Sequence, residues 1–139
     1  DLYRTEETSL TASALWDVVY GTDTTISQPL PRIPPMRVGG RLDATHRRWD
    51  AGLGLRYAFA QTRVPQAVFG TLEYQAPTAA YLLLDANIGY TWQTGRWLAR
   101  AYLRGSNLLN QEARNAASFL QEVAPLPGRN ITLGLSLSY

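Results

Sequence analysis

The 139-residue sequence predicts an all-β chain of antiparallel, up-and-down transmembrane β-barrel strands. Three observations indicate this fold class: long segments in which apolar and polar residues alternate, one face of every segment without charge, and long connections that alternate with very short ones. No segment carries a helical stripe of useful length. No run approaches the ~18 to 20 apolar residues that a transmembrane helix needs. We expect about six strands, which form an open sheet with two bare edges, and we therefore expect them to be part of a larger barrel.

The predicted strands are long segments with a period of two residues. Most have the ~9 to 11 residues with which a tilted strand crosses a bilayer, more than the ~5 to 6 of an ordinary globular strand. The last is the clearest, because apolar residues occupy every second position from 131 to 139 and Thr, Gly or Ser fill most positions between them. The predicted strands cover residues 8–20, 36–45, 49–60, 82–92, 97–105 and 130–139.

One face of these strands carries no charged residue, whereas the other collects nearly all the charge. A lipid-facing Arg near the bilayer midplane costs about 2 to 4 kcal/mol, so a chain that contacts lipid excludes it. The aromatic residues on the uncharged face gather toward the strand ends, as in the girdles of membrane barrels. We expect the charged face to line a lumen through Asp17, Arg37, Arg41, Asp43, Asp50, Arg56, Asp85, Arg100 and Arg104.

Connection lengths alternate along the chain. Long connections at 21–35, 61–81 and 108–129 alternate with short ones at 46–48 and 93–96. Outer-membrane barrels have short periplasmic turns and longer outer loops. The three long segments are therefore predicted to be outer loops, and both termini to be periplasmic, in a bacterial outer membrane. The prolines of the first loop are expected to stiffen it and to deny it strand pairing.

The end of the chain resembles the C-terminal signal of bacterial outer-membrane β-barrels. Thr132, Gly134, Leu137 and Tyr139 supply its polar residue, glycine, apolar residue and final aromatic. The resemblance implies the barrel-assembly machinery as a partner, and membrane lipid as the surroundings.

A longer block before that strand carries a family resemblance. Residues 107–110 read Asn-Leu-Leu-Asn, residues 112–114 Glu-Ala-Arg, residues 118–120 Ser-Phe-Leu and residues 124–129 Ala-Pro-Leu-Pro-Gly-Arg. With the terminal strand, this block resembles the C-terminal end of TonB-dependent outer-membrane receptors. Residues 29–35 and 81–85 are similar to stretches in the same proteins, particularly in the branch that takes up metals and siderophores. The matching residues, for which we expect a structural role, are Asn107, Leu108, Asn110, Pro125, Pro127, Gly128 and Arg129.

The resemblance implies a 22-stranded barrel with an N-terminal plug, which imports a scarce nutrient such as a metal ion or a metal–siderophore complex. Residues 1–139 would then form the C-terminal part of the barrel, with the plug domain absent. The partners would be the rest of the barrel and the plug, or other copies of the chain. TonB would act only through the missing N-terminal part.

The motif residues also allow predictions from their own chemistry. Asn107 and Asn110 bracket a strand exit, where Asn tolerates left-handed backbone geometry. Pro125 and Pro127 interrupt regular structure before the last strand. Gly128 is expected to adopt a backbone angle that other residues avoid.

No catalytic residue, metal site or cofactor is predicted, and the chain is not expected to be an enzyme. The chain has no Cys and one His, His46, which is predicted to be a solvated turn residue. Related receptors commonly have a His near position 116, where this chain has Ala116. A net charge of +2 with scattered arginines does not suggest nucleic acid.

Two alternatives stay open at this point. The chain could form a small or homo-oligomeric barrel, natural or engineered, with a structural role. It could also be a soluble β-sheet ligand-binding domain with the apolar face turned inward.

Overall fold

The computed structural model describes residues 1–66 and 75–139, and these contain β-strands but no helix. None of their elements is a helix long and apolar enough to cross a membrane. The strands are β1 (Tyr3–Arg4), β2 (Thr8–Asp17), β3 (Thr22–Asp23), β4 (Gln28–Pro29), β5 (Arg37–His46), β6 (Trp49–Ala58), β7 (Tyr81–Thr94), β8 (Trp97–Ser106) and β9 (Asn130–Ser138).

The described strands form one antiparallel seven-stranded sheet in the order β1-β2-β5-β6-β7-β8-β9, with β3 and β4 as a separate hairpin. Each long strand pairs with the next along the chain, which confirms the predicted all-β, up-and-down order. The sheet does not close on itself within this part of the chain, since β1 and β9 lie at opposite edges. The edge of β2 away from β5 is partly covered, because Tyr3 and Arg4 pair with Leu10 and Ser9 and the N–H of Leu2 donates to the carbonyl oxygen of Leu10 at 2.8 Å.

The register aligns the predicted faces across the sheet. The row Ala12–Leu42–Leu53 continues through Ala86 to Gly105 and contains apolar residues and glycine alone. Because the side-chain period of a strand is two, a slip of one residue at any of these pairings would turn a charged face outward. The pairing therefore reproduces, strand by strand, the separation of charge that the sequence predicts.

Two tight turns connect the strands at one end of the sheet. His46 pairs with Trp49 and Thr94 pairs with Trp97, so each turn has two residues and is shorter than predicted. Arg47 (φ 53°) and Gly95 (φ 61°) supply the positive backbone angle that two-residue hairpins need. His46 is consequently an exposed strand residue, with Nδ1 2.8 Å from Thr8 Oγ1, and the prediction that it belongs to the turn is wrong.

The first predicted outer loop contains more structure than expected. The strand predicted over 8–20 ends at Asp17, so residues 18–20 leave the sheet together with Gly21, the first residue of the predicted loop. These four residues line a cavity of about 220 Å³ with Pro29 and Ile33. Within the loop, β3 and β4 pair Thr22 with Pro29. The expectation that proline denies pairing here is wrong, because Pro29 lies in a two-residue edge strand where no ladder needs its N–H.

Within residues 1–66 and 75–139 the buried apolar residues are few and mostly small, and the largest buried side chain among them is that of Leu83. They are Ala58, Leu83, Ala99, Ala113 and Ala116. By contrast, Trp16 (72% exposed) and Leu133 (79% exposed) stand on an uncovered apolar face. A β-sandwich would cover that face with a second sheet, and the described part of the chain supplies none.

The three long connections leave the same end of the sheet, opposite the two tight turns. Part of the second, residues 67–74, lies outside the described residues. The strands are staggered, because β8 pairs only with residues 86–94 of β7. The beginning of β7 therefore projects past β8, and the third loop folds onto it through the N–H of Leu108, which donates to the carbonyl oxygen of Leu84 at 2.8 Å.

Candidate functional site

The charged face of the sheet carries a series of side-chain pairs. Arg37 and Asp17 lie opposite each other on neighbouring strands and form a two-pronged ion pair, with Arg37 Nε 3.1 Å from both carboxylate oxygens. Arg41 and Asp43 lie two residues apart on β5, where the guanidinium donates to the carboxylate at 2.7 to 2.9 Å. In each of these two pairs, a guanidinium and a carboxylate on the same face of the sheet neutralise each other.

A third ion pair reaches across an intervening strand. Arg100 on β8 donates through Nη2 to Asp50 Oδ2 on β6 at 2.8 Å, while β7 runs between them. Gly89 is the residue of β7 beneath this contact. A Cβ built on Gly89 would lie 2.5 Å from Asp50 Oδ1 and 2.8 Å from Arg100 Nη2. The missing side chain at Gly89 is what opens the path for the pair.

Gly52 has the same role on β6. Arg41 reaches across it and donates through Nη2 to Asn87 Oδ1 on β7 at 2.8 Å. A Cβ on Gly52 would lie 2.7 Å from Asn87 Oδ1 and from Asp43 Oδ1. Sequence reasoning missed Gly52, Gly89 and Asn87, although a glycine within a strand signals a close approach.

The remaining predicted charges differ from one another in their contacts. Arg56 and Arg104 make no ion pair with any residue that the structure describes. Asp85 is used locally, because its Oδ1 accepts a hydrogen bond from the N–H of Asn107 at 2.9 Å. The predicted charged residues therefore share one face of the sheet, but they form separate contacts rather than one cluster.

Asn107 fixes the start of the third loop. It is 5% exposed, has a φ of 48°, and its Nδ2 donates to the carbonyl oxygens of Gln111 (2.9 Å) and Pro127 (3.1 Å). Its Oδ1 accepts from the N–H of Gln111 at 2.9 Å. One side chain thus joins the beginning of the loop to its end, just before β9.

Asn110 makes the second closure of the same loop. With a φ of 53°, it accepts a hydrogen bond at Oδ1 from the N–H of Arg129 at 3.0 Å. Both asparagines therefore have the left-handed geometry that was expected. The backbone angle expected of Gly128 is not found, since Gly95 is the glycine with positive φ among the described residues. Gly128 instead allows close approach, because a Cβ there would lie 3.1 Å from Asn110 Oδ1.

Two buried glutamines connect the outer loops, and we call their contact the glutamine clasp. Gln75 and Gln121 are 7% and 5% exposed, and Gln75 Nε2 donates to Gln121 Oε1 at 3.1 Å. Gln75 also donates to the carbonyl oxygen of Ala116 and Gln121 to that of Ala76, both at 2.8 Å. Ala116, whose carbonyl oxygen accepts the hydrogen bond from Gln75, is fully buried.

The first loop joins the clasp through Arg32. Its N–H donates to Gln75 Oε1 at 2.6 Å, and its guanidinium lies 3.6 Å from the ring centre of Phe119. Between these residues is an open cavity of about 270 Å³, which Ser118, Glu122 and other side chains of the three loops line. The sequence gives no signal for this cluster, because its members are isolated residues in loops without periodicity.

The uncharged face carries two aromatic bands. Near the tight turns, the ring centres of Trp49 and Tyr90 are 4.7 Å apart, and those of Trp97 and Tyr139 are 5.1 Å apart. Near the loops, Tyr57 and Phe59 are 4.8 Å apart. Strands rise about 3.3 Å per residue, so Trp49 and Phe59 are separated by roughly 33 Å along the strand, or about 25 Å in height at a tilt of ~40°.

The residues of the predicted C-terminal signal lie along β9 and directly after it. Leu137 and Tyr139 are exposed on the uncharged face. Gly134 lies on the charged face under the ring of Tyr102, where a Cβ would be 2.5 Å from Tyr102 Cε1. Thr132 Oγ1 donates to Asn130 Oδ1 at 3.0 Å.

A protein-family comparison matches residues 3–108 to the family described as TonB dependent receptor-like, beta-barrel. The chain belongs to this family. A solved structure, "Copper transporter OprC", is similar to it with a TM-score of 0.70 and 18% sequence identity over 97% of this chain and 21% of that one. The likeness shows that the fold is shared, and the chain spans about a fifth of the length of that transporter.

Family membership confirms the resemblance seen in the sequence. TonB-dependent receptor barrels are outer-membrane transport receptors rather than enzymes, and a plug and TonB are general partners of the family. The described residues contain no group of three His, Cys, Asp or Glu side chains that could hold a metal ion.

Proposed function

We propose that residues 1–139 are the C-terminal part of the barrel of a TonB-dependent receptor that takes up a scarce nutrient. The nutrient we favour is a metal ion or a metal–siderophore complex. The observation that carries this proposal is the division of one sheet into an uncovered apolar face and a face of paired charges. Only a wall between lipid and a polar interior has a use for both faces.

The uncharged face supports membrane placement. Its aromatic bands are separated by about the height of the apolar band of an outer-membrane barrel, ~25 Å. The open edge of β9 supports the proposal that further strands complete the barrel, because unpaired backbone groups in hydrocarbon cost several kcal/mol each. We infer that this edge pairs with a strand from the rest of the barrel, after the barrel-assembly machinery has recognised Thr132, Gly134, Leu137 and Tyr139.

We infer that the charged face lines the lumen. Arg56 and Arg104, which have no ion-pair partner among the described residues, are the side chains most suited to contact an acidic surface of the plug. The pairs Asp17–Arg37 and Asp50–Arg100 join different strands, and Arg41, which pairs with Asp43 on its own strand, is joined to β7 through Asn87.

For the orientation, we propose that the tight turns and both ends of the chain are periplasmic and that the loops at 21–35, 61–81 and 108–129 are outside. This proposal can be tested by labelling, because the chain has no cysteine of its own. An Ala117→Cys variant of the receptor should react with a membrane-impermeant maleimide on intact cells. A Thr94→Cys variant should react only after the outer membrane is permeabilised, and the reverse order would contradict the orientation.

Uptake tests the function itself. Cells that express the receptor should accumulate one member of a panel of transition-metal ions and ferric siderophores above the level of cells without it. The gain should disappear when TonB is deleted. Accumulation that does not depend on TonB, or no accumulation of any member, would contradict the proposal. Metal binding by this chain alone is not expected, since the described residues hold no group of three His, Cys, Asp or Glu side chains that could bind an ion.

A further inference from the structure

Both tight turns of the sheet end in the same pair of residues. Arg48 directly precedes Trp49 at the start of β6, and Arg96 directly precedes Trp97 at the start of β8. We call these two pairs the Arg–Trp junctions. The second junction is four residues further along β7 than the first, since Trp49 pairs with Tyr90 and Trp97 with Thr94. With two strand spacings of ~4.8 Å between them, the junctions are roughly 16 Å apart.

The stagger places both junctions at the same rim. Strands of a barrel are tilted, so a rim that is level with the membrane crosses successive strands at shifted residues. Relative to β6, β8 is shifted by four residues toward the tight turns. The loop end shows a shift in the same direction, because β8 ends opposite Ala86 whereas β6 ends opposite Tyr81. Two separate positions at one membrane surface therefore carry the same Arg–Trp pair.

The arginines of the two junctions differ from the neighbouring Arg47 in that they have no ion-pair partner among the described residues. Arg47, which does not precede a Trp, is neutralised by Glu7, with Nε 2.8 Å from Oε2. Neither Arg48 nor Arg96 forms an ion pair with any residue in the described ranges. Of the three arginines at the tight turns, Arg48 and Arg96 therefore keep a positive charge without a carboxylate partner among the described residues.

The Arg96 side chain lies toward the uncharged face. Its Nη1 donates to the hydroxyl of Tyr139 at 3.0 Å, and the Tyr139 ring packs on Trp97. Trp49 and Trp97 are each about half exposed. Trp prefers the level of lipid headgroups, and a guanidinium at that level meets phosphate oxygens, to which it donates paired, charge-assisted hydrogen bonds.

We propose that each Arg–Trp junction binds the headgroup of an anionic phospholipid in the leaflet at the turn rim. Arg48 or Arg96 takes the phosphate, while Trp49 or Trp97 contacts the glycerol and upper acyl region. At roughly 16 Å, the junctions bind two different lipid molecules. The inference rests on the membrane placement of the proposed function and adds to it a preference for the charge of the lipid.

The test uses the receptor reconstituted in two kinds of vesicle. In the first, the lipid that carries bromine near the headgroup is phosphatidylglycerol in a phosphatidylcholine background. In the second, it is phosphatidylcholine alone. Quenching at each junction is obtained separately, by subtracting the fluorescence of the Trp49→Phe variant for one and of the Trp97→Phe variant for the other. We expect brominated phosphatidylglycerol to quench preferentially. Because a basic residue near an anionic surface contributes about 1 kcal/mol, Arg48→Gln or Arg96→Gln should reduce the preference at its own junction roughly fivefold.

Arg129→Gln is the matched control, since Arg129 is an exposed arginine at the loop end without an ion pair among the described residues. It should leave the preference unchanged. Equal quenching by both lipids, or a preference that survives Arg48→Gln together with Arg96→Gln, would overturn the headgroup sites while leaving the membrane placement intact. No quenching by either lipid would overturn the membrane placement, and the headgroup sites with it.

Discussion

The two faces of the same sheet solve the problem of exposure in opposite ways. On the uncharged face, Leu53 and Leu133 stand open and touch no second layer. On the charged face, Asp50 and Arg100 reach over Gly89 to find each other. The side chains of the uncharged face therefore depend on their surroundings outside the sheet for stabilisation. The side chains of the charged face are stabilised by ion pairs and hydrogen bonds within the sheet. Substitutions of the same kind on the two faces should therefore have unequal effects.

The largest difference is expected from a new charge. Leu53→Arg places a guanidinium in the middle of the uncharged face, where it should cost about 2 to 4 kcal/mol of unfolding free energy in lipid. Thr11→Arg on the other face lies opposite Asp43 and should cost less than about 0.5 kcal/mol. Urea unfolding of the receptor in lipid vesicles, followed by heat-modifiable migration, measures both. Equal losses would show that the two faces have the same surroundings.

A smaller difference is expected from a single methyl group. Gly89→Ala should push Asp50 and Arg100 apart and cost about 1 kcal/mol, because the atoms that must move are the ends of two partly exposed side chains. Gly40→Ala on the uncharged face meets nothing nearer than the carbonyl oxygen of Ser13 at 3.6 Å and should be tolerated. The same unfolding measurement compares them. If Asp50→Asn removed the sensitivity to Gly89→Ala, the ion pair would be its cause.

The smallest effect is expected from an ion pair at the loop end of the charged face. Asp17→Asn removes the anion that faces Arg37, but both side chains are about one-third exposed, so the loss should be at most about 1 kcal/mol and should shrink at high salt. Glu6→Gln, at an exposed residue without an ion pair among the described residues, is the control. A loss that does not depend on salt would assign the effect to packing rather than to charge.

The strands and their faces could be predicted because period-two alternation is a local property. The alternation within each strand shows which residues lie on the uncharged face, as the segment from Ile131 to Tyr139 illustrates. Strand ends were less predictable. The second strand stops at Asp17 because the next residues pack with Pro29 and Ile33, which are distant in sequence.

The interior pairs and the loop contacts could not be predicted for the same reason. The partner of Arg100 is Asp50, on a strand that is not its neighbour, and only the register across β7 brings them together. Gln75 and Gln121 are polar loop residues that resemble any solvated glutamine until the loops are assembled. The resemblance of residues 107–129 to a family supplied what physical patterns could not, namely the kind of wall to which the strands belong.

The glutamine clasp also has a consequence for the order in which the chain matures. The hairpins at Arg47–Arg48 and Gly95–Arg96 close over short distances in sequence, and such contacts form early. The contact between Gln75 and Gln121 spans 46 residues and that between Arg32 and Gln75 spans 43. These bonds can form only after β6, β7 and β8 have found their register, so resistance of the loops to protease should be among the last properties that a newly inserted chain acquires.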